Sequence, residues 1–164
     1  MEGTHPVNVT IRPATAEDYG QLCEIISEVD AMHRDHLSDI FRQPDGPARE
    51  RDYILGLLAD ENTGLFVAEV GGELVGFVQV LLRDSPSSPF VRPRRFALVD
   101  ALGVRQGHRR VGIGRTLMEE AERWARVKGA TAIELNVWEF NVGALAFYDK
   151  LGYKTRNRRM DKTL

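Results

Sequence analysis

The spacing of apolar positions switches between two residues and three-to-four residues along the chain, and each switch marks an element. Val7, Val9 and Ile11 alternate with Asn8, Thr10 and Arg12, as in a strand with one buried face, and Pro13 stops it. Thr15-Ala16-Glu17-Asp18 reads as a helix start, with Thr15 as the cap and acidic side chains in the first turn. Tyr19, Leu22, Ile25, Ile26 and Val29 then share one helical face. Polarity is mixed from Ala31 to Phe41, and the Pro- and Gly-containing run Arg42 to Pro47 is a loop. A second helix is predicted over Ala48 to Ala59, with Tyr53, Ile54, Leu57 and Leu58 inward.

Apolar runs from Leu65 to Val70 and from Glu73 to Leu82 flank Gly71-Gly72, two residues able to take positive φ, which predicts a tight hairpin. Ser85 to Pro89 is a loop, and Arg94 to Val104 the next strand. Ile113, Leu117, Ala121, Trp124 and Ala125 give a long amphipathic helix that Gly129 ends. Ala132 to Trp138 reads as a strand, Val142 to Leu151 as a short helix ending at Gly152, and Tyr153 onward as a final strand. The predicted order is β-α-α-β-β-β-α-β-α-β, without repeat, linker or low-complexity segment.

Composition adds bounds. A chain of 164 residues with 43% hydrophobic content fits one globular domain with a real core. The formal net charge of -2 gives no global field that would point to nucleic acid or membrane. Charge is nevertheless segregated: acidic residues predominate between Glu17 and Glu69, basic ones from Arg92 to Arg115. One half suits an anion, the other a cation. The single cysteine, Cys23, excludes an intrachain disulfide and agrees with a reducing compartment. No apolar run approaches membrane length, and the first residues lack the basic start and apolar segment of a signal peptide. A soluble, cytoplasmic protein without nucleic-acid or membrane partners is expected.

The candidate chemistry begins where the strand ending at Val104 passes into the long helix, through Arg109-Arg110-Val111-Gly112-Ile113-Gly114. The first amides of a helix have no intrahelical partners and carry the positive end of its dipole. Glycines at 112 and 114 remove β-carbons that would keep an anion from those amides, which is how a helix start holds a pyrophosphate. A P-loop needs Gly-Lys-Ser/Thr, whereas Gly114-Arg115-Thr116 stands here without the upstream glycine spacing. A dinucleotide fingerprint fails at Leu117. Glycines that serve only the turn remain open.

A second motif follows at Asn141-Val142-Gly143-Ala144-Leu145-Ala146-Phe147-Tyr148-Asp149-Lys150-Leu151-Gly152-Tyr153. The pair resembles the GNAT N-acetyltransferases. Their pyrophosphate loop reads Gln/Arg-x-x-Gly-x-Gly/Ala, and their later motif Asn-x-x-Ala-x-x-Leu/Phe-Tyr-x-x-x-Gly-Phe/Tyr. The resemblance is most specific over residues 94–154, and the element order fits throughout. It implies the GNAT acyl-CoA N-acyltransferase fold, an α/β fold whose mixed, predominantly antiparallel sheet carries helices on both faces, with residues 1–164 as a single domain. Family members are often dimers, so a homodimer is one expected assembly.

The resemblance also implies a site. Acetyl-CoA is the cosubstrate, inserted where two strands splay apart, with Leu102 and Val104 bonding pantetheine through the main chain and Gly103 suited to a bulge. Arg109, Arg110, Val111, Gly112, Ile113, Gly114 and Arg115 would surround the pyrophosphate. Val111 departs from the family, which usually has a basic residue there. Asn141 would meet the pantetheine amides or cap its helix, Ala144 would let the cofactor approach, and Phe147 would pack against it. Tyr148 would protonate or hydrogen-bond the departing thiolate; a core tyrosine is the alternative.

The attacking amine must lose a proton, since an alkyl amine has a pKa of about 10.4. Asp100, which interrupts an apolar strand, Glu69, Glu134 or a held water could take it, and Asp100 is the first choice. An outward-facing charge explains Asp100 equally well. His33, His36, Phe41, Tyr53 and Glu139 are expected to touch the acceptor, since the segment after the first helix lines that pocket in the family. His33 and His36 lack the further ligands of a metal site, so none is expected. Direct transfer of acetyl to a small cationic amine within a ternary complex is the expected activity, since no cysteine lies in either motif. A non-catalytic acyl-CoA-binding or regulatory module, or acetylation of protein N-termini or lysines, is the alternative.

Overall fold

The computed structural model describes residues 8–164, so Val7 of the first predicted strand lies outside the described residues. Strand β1 (Thr10–Pro13) is followed by a 3-10 turn at Ala16–Asp18, helix α1 (Tyr19–His36) and helix α2 (Arg51–Ala59). Strands β2 (Thr63–Val70), β3 (Glu73–Asp84) and β4 (Arg95–Val104) then form a meander. Helix α3 (Ile113–Val127) crosses to β5 (Ala132–Leu135), and α4 (Val142–Lys150) closes the order. The sheet runs β1-β2-β3-β4-β5, antiparallel throughout except for the β4–β5 pair, which is parallel. Parallel neighbours need a long crossover, and α3 supplies it.

Local chemistry sets the boundaries. Gly71 and Gly72 take φ of 59° and 86°, the left-handed values that a two-residue hairpin between twisted strands requires. Gly129, with φ 81°, ends α3. At the start of α1 the Asp18 carboxylate accepts from the Thr15 amide at 2.8 Å while the Asp18 amide donates to the Thr15 carbonyl at 3.1 Å. Arg12 holds the same carboxylate through two nitrogens, at 2.7 and 2.9 Å, and so keeps its pKa below the usual range.

Two cores form, one on each face of the sheet. Ile113, Leu117, Met118, Ala121 and Ala125 of α3 cover Val78, Val80, Ala97 and Val99. On the other face Leu22, Ile25 and Ile26 of α1 and Ile54 of α2 cover Val67, Leu74 and Phe77. The helices approach so closely that two glycines become obligatory. A β-carbon on Gly76 would lie 2.9 Å from the Gly103 carbonyl oxygen and 3.1 Å from Leu117, and one on Gly103 would lie 2.8 Å from Phe77 and 2.9 Å from Val29.

The mixed sheet with helices on both faces is as expected, and several boundaries differ. α1 continues through His36, because Met32, His33 and His36 extend the helix regardless of polarity, and α2 begins at Arg51. Tyr53 is 47% exposed rather than inward; Ile54 alone of α2 is buried, so the helix rests on a narrower stripe. β5 ends at Leu135, and no strand follows α4 among the described residues. The residues from Tyr153 onward are held by side chains instead: Tyr153 donates to Glu122 at 3.3 Å, and Arg156 to Glu134 at 3.3 Å.

Because backbone blocks the space beside Gly76, Gly76→Ala is expected to destabilise the fold by roughly 1–3 kcal/mol, the range for overpacking a core. Urea unfolding should show a lower midpoint at unchanged slope. A midpoint equal to that of the parent protein would mean that β3 and β4 yield without cost.

Candidate active site

The site grows from a parting of strands. β4 pairs with β5 only from Phe96↔Ala132 to Val99↔Leu135. Against β3 its register slips at the next residue: Val99 faces Val80 and Ala101 faces Gln79, leaving Asp100 opposite nothing. One extra residue is a bulge, which bends its strand and reverses the alternation of side chains. Before the bulge Ala97 and Val99 face α3; beyond it Leu102 and Val104 do, while Ala101 joins the core under α1. The bulge falls at Asp100 and not at Gly103, whose missing β-carbon serves the approach of Val29.

Past the bulge β4 has a partner on one side only. The Arg105 amide donates to Val75 of β3 at 2.8 Å, which sets the parity: residues 101, 103 and 105 bond to β3, and Leu102 and Val104 point their main-chain groups toward the opening. The Val104 carbonyl accepts there from Arg109 Nε at 2.8 Å, so Arg109 braces the strand end with one nitrogen.

Between β4 and α3 the chain turns through Arg110 with φ 64° and Gly112 with φ 93°. Successive amides around left-handed residues point inward to a common space, a concavity suited to anions. The amides of residues 110–115 have no hydrogen-bond acceptor among the described residues, and they stand at the positive end of α3. Arg109, Arg110, Val111, Gly112 and Arg115 are exposed around them, whereas Ile113 is buried in the core. The two glycines differ. Open space surrounds the position of a β-carbon at Gly112, but one at Gly114 would lie 3.2 Å from Phe147. Gly114 therefore admits α4 against α3, and its amide is the part left to an anion.

α4 begins at Asn141, whose side-chain oxygen accepts from the Ala144 amide at 3.0 Å. Ala144 is half-buried beside it, and Phe147 packs on Tyr148 with centroids 5.0 Å apart. The Tyr148 hydroxyl has no hydrogen-bond partner among the described residues, and burial pushes its pKa up to about 12.

On the opposite face, rings from distant parts of the sequence meet. The Phe140 ring stacks on His36 at 4.4 Å and meets His33 edge-on at 5.8 Å, while Phe41 meets His33 at 5.7 Å and Trp138 at 5.6 Å. His33, His36 and Phe41 thus lie together, and exposed Glu139 lies between two of the rings in sequence. Trp138, Phe140 and Gln79 were not singled out from the sequence as site residues. Gln79 is 7% exposed, pairs opposite Ala101 beside Asp100, and makes no side-chain hydrogen bond among the described residues. A lone glutamine in an apolar strand is the signal that could have found it.

Of the three carboxylates considered as bases, Glu69 is held by Arg12 at 2.8 Å and Glu134 by Arg94 at 2.6 Å. Asp100 is exposed and has no ion-pair partner among the described residues.

A mixed five-stranded sheet with helices on both faces, two strands parted at the start of a crossover helix, is the architecture of an acyl-CoA N-acyltransferase. Residues 30–153 match the model of the acetyltransferase (GNAT) family, and the chain belongs to that family. An uncharacterized N-acetyltransferase, MJ1207, of Methanocaldococcus jannaschii is 33% identical over 106 residues, covering 65% of this chain and 46% of that protein. The streptothricin acetyltransferase of Streptomyces lavendulae is 34% identical over 109 residues, covering 66% and 53%. The chain thus spans about half the length of the curated relatives it matches. The structure of a mutant BH1408 protein from Bacillus halodurans superposes with a TM-score of 0.90 at 27% identity, over 94% of this chain and 99% of that one.

Arg110 occupies a left-handed conformation that glycine takes freely. Arg110→Gly is therefore expected to raise stability by roughly 0.5–1 kcal/mol after the entropy that glycine adds to the unfolded chain. Thermal unfolding of the two proteins in the absence of nucleotide checks this, and a lower melting temperature for the glycine variant would contradict it.

Proposed function

We propose that the chain is an acetyl-CoA-dependent N-acetyltransferase that moves acetyl to a small cationic primary amine by direct attack in a ternary complex. The observation that carries the proposal is the concentration of unpaired groups at one opening: the amides of residues 110–115, the outward main chain of Leu102, the amide of Val104, and the Tyr148 hydroxyl. In this reading residues 1–164 act as one domain.

Acetyl-CoA supplies an activated acetyl carbon and a thiolate leaving group. The amides of 110–115 would hold its pyrophosphate, with Arg109, Arg110 and Arg115 adding charge and Val111 only its backbone. Leu102 and Val104 would bond pantetheine as a strand would, Asn141 would reach its amides with the lone pair left over from capping, and Ala144 and Phe147 would flank it. Asp100 would take the proton that the ammonium sheds to expose its lone pair; as the C–N bond forms and the C–S bond breaks, the second nitrogen proton would leave to solvent and the sulfur depart as thiolate. Asp100 is the one base candidate that no arginine holds.

Tyr148 is assigned as a hydrogen-bond donor to the sulfur. A thiol has a pKa near 8.5, and the phenol is pushed up to about 12. Proton transfer from such a phenol to a thiolate runs uphill, whereas a donated hydrogen bond stabilises the charge as the C–S bond breaks.

Support for a cationic acceptor is local. Part of the acidic first half is paired internally, Asp18 and Glu69 with Arg12, Asp30 with Arg49, and Glu24 and Glu28 with Arg105. Asp35, Asp39 and Glu139, near His33, His36 and Phe41 in sequence or at the rings, are exposed and outside any ion pair among the described residues.

Tyr148→Phe keeps the ring and removes the donor. We expect kcat to fall on the order of 10² with the KM for acetyl-CoA within about twofold. The donor form is the protonated phenol, lost only as pH rises through its pKa. The parent protein should therefore keep its kcat between about pH 9 and 10.5, where an ordinary tyrosine begins to ionise. Near-parental kcat in the variant would remove Tyr148 from the chemistry.

A further inference from the structure

We infer that the rings of His33, His36, Phe41, Trp138 and Phe140 form a second-charge subsite, which holds a cationic group of the acceptor other than the nitrogen that is acetylated. The inference rests on the acetyl-transfer reading above and adds the class of acceptor: a molecule with two basic groups, such as a diamine.

Position comes first. α1 passes over β4 at Gly103, where Val29 stands 2.9 Å from the place of a β-carbon. One turn later His33 Nδ1 donates to the Val29 carbonyl at 2.8 Å, and the His33 ring meets Phe140 on the loop between β5 and α4. The end of α1 therefore bridges from the unpaired part of β4 to the far side of the opening. It does so on the face opposite α3.

Chemistry comes second. The faces of Trp and Phe rings carry negative quadrupole potential and attract ammonium groups, and His33 and His36 hold Phe41 and Phe140 in place. Trp138 is 42% exposed and His36 is exposed, so the cluster offers ring surface outward. His36 Nδ1 is held by the Met32 carbonyl at 2.9 Å, which with the Phe140 stack fixes that ring. Elsewhere the protein supplies its own cations to aromatic rings: Arg51 over Tyr19, Arg94 over Phe96 and Lys128 over Trp124. Among the described residues no arginine or lysine lies over this cluster. Glu139 and Asp39, on the segments that carry the rings, are exposed and unpaired.

The attacking nitrogen must shed its proton before it can form a bond, so it cannot be the cation that a ring wall retains through the reaction. A second basic group can. The wall then selects acceptors by a charge that never reacts.

The test is kinetic, with α,ω-diamines of about three to eight carbons each compared with the amino alcohol of equal length. In the parent protein kcat/KM for the best diamine should exceed that of its amino alcohol by about tenfold or more. Trp138→Leu and Phe140→Leu should raise KM for the diamine more than for the amino alcohol and shrink the ratio to about threefold or less; Trp138→Phe should preserve most of the ratio. Butyltrimethylammonium, which carries charge but no transferable proton, should quench the fluorescence of the parent protein saturably and that of Trp138→Leu not at all. This readout needs no turnover. Acetylated products without a diamine preference, or a preference intact in both leucine variants, would overturn the subsite alone. No acetylated product from any amine would overturn the transfer reading and the subsite with it.

Discussion

The parting of β4 from β5 is the constraint on which the rest of the site depends. A parallel pair holds only while both strands run straight, and the bulge at Asp100 bends β4 immediately after Val99. Everything beyond inherits that bend. Leu102 and Val104 rotate to the α3 side with main-chain groups outward, Gly103 rotates under α1, and the chain enters the turn before α3 already directed at its amino end. The bulge thus couples one backbone irregularity to both halves of the site: bare amides on the α3 face, rings on the α1 face.

The pieces with local causes were legible in the sequence. Gly71-Gly72 and Gly129 announce their left-handed turns, and the apolar stripe from Ile113 to Ala125 fixes α3 and the face it buries. The pieces that need two segments at once were not. A bulge is a property of paired registers, so the suggestive glycine at 103 drew the expectation while Asp100 carries the irregularity. The alternating run Ala132 to Trp138 looks like a strand over its whole length, yet a strand exists only where a partner lies, and past Leu135 there is none. The same reason leaves Tyr153 onward unpaired. Gly114 looked like an anion-loop glycine and proves equally to be the clearance for Phe147. His33 and His36 were legible as candidates, but their meeting with Phe140 joins α1 to a loop far along the chain, and no periodicity encodes such a contact.

Charge patterning was informative about composition and misleading about use. The acidic first half and the basic middle look like two open fields, but much of that charge is spent on holding the fold together. Arg105 shows how. It lies at the exit of β4, only 17% of its side chain is exposed, and it donates to the Leu74 carbonyl at 2.8 Å while pairing with Glu24 at 2.7 Å. Glu28 accepts from the Gln106 amide at 3.3 Å. α1 is thereby fastened to the start of the anion loop, so the element carrying the histidines and the element carrying the amides keep a fixed spacing. Pairs with one partner this buried matter more than exposed ones, whose contribution is commonly below about 1 kcal/mol.

Proton accounting then divides the proposed chemistry between the two faces. A phenol whose pKa is about 12 keeps its proton through neutral pH and gives it up poorly to a thiolate. What burial gains at Tyr148 is a donor that stays loaded. In the proposed reaction the proton released by the attacking amine would leave through Asp100, which stands exposed in the bulge and can pass it to solvent. In that scheme the unpaired carboxylate in the bulge would be free to approach the amine, whereas Glu69 and Glu134 are each held in place by an arginine.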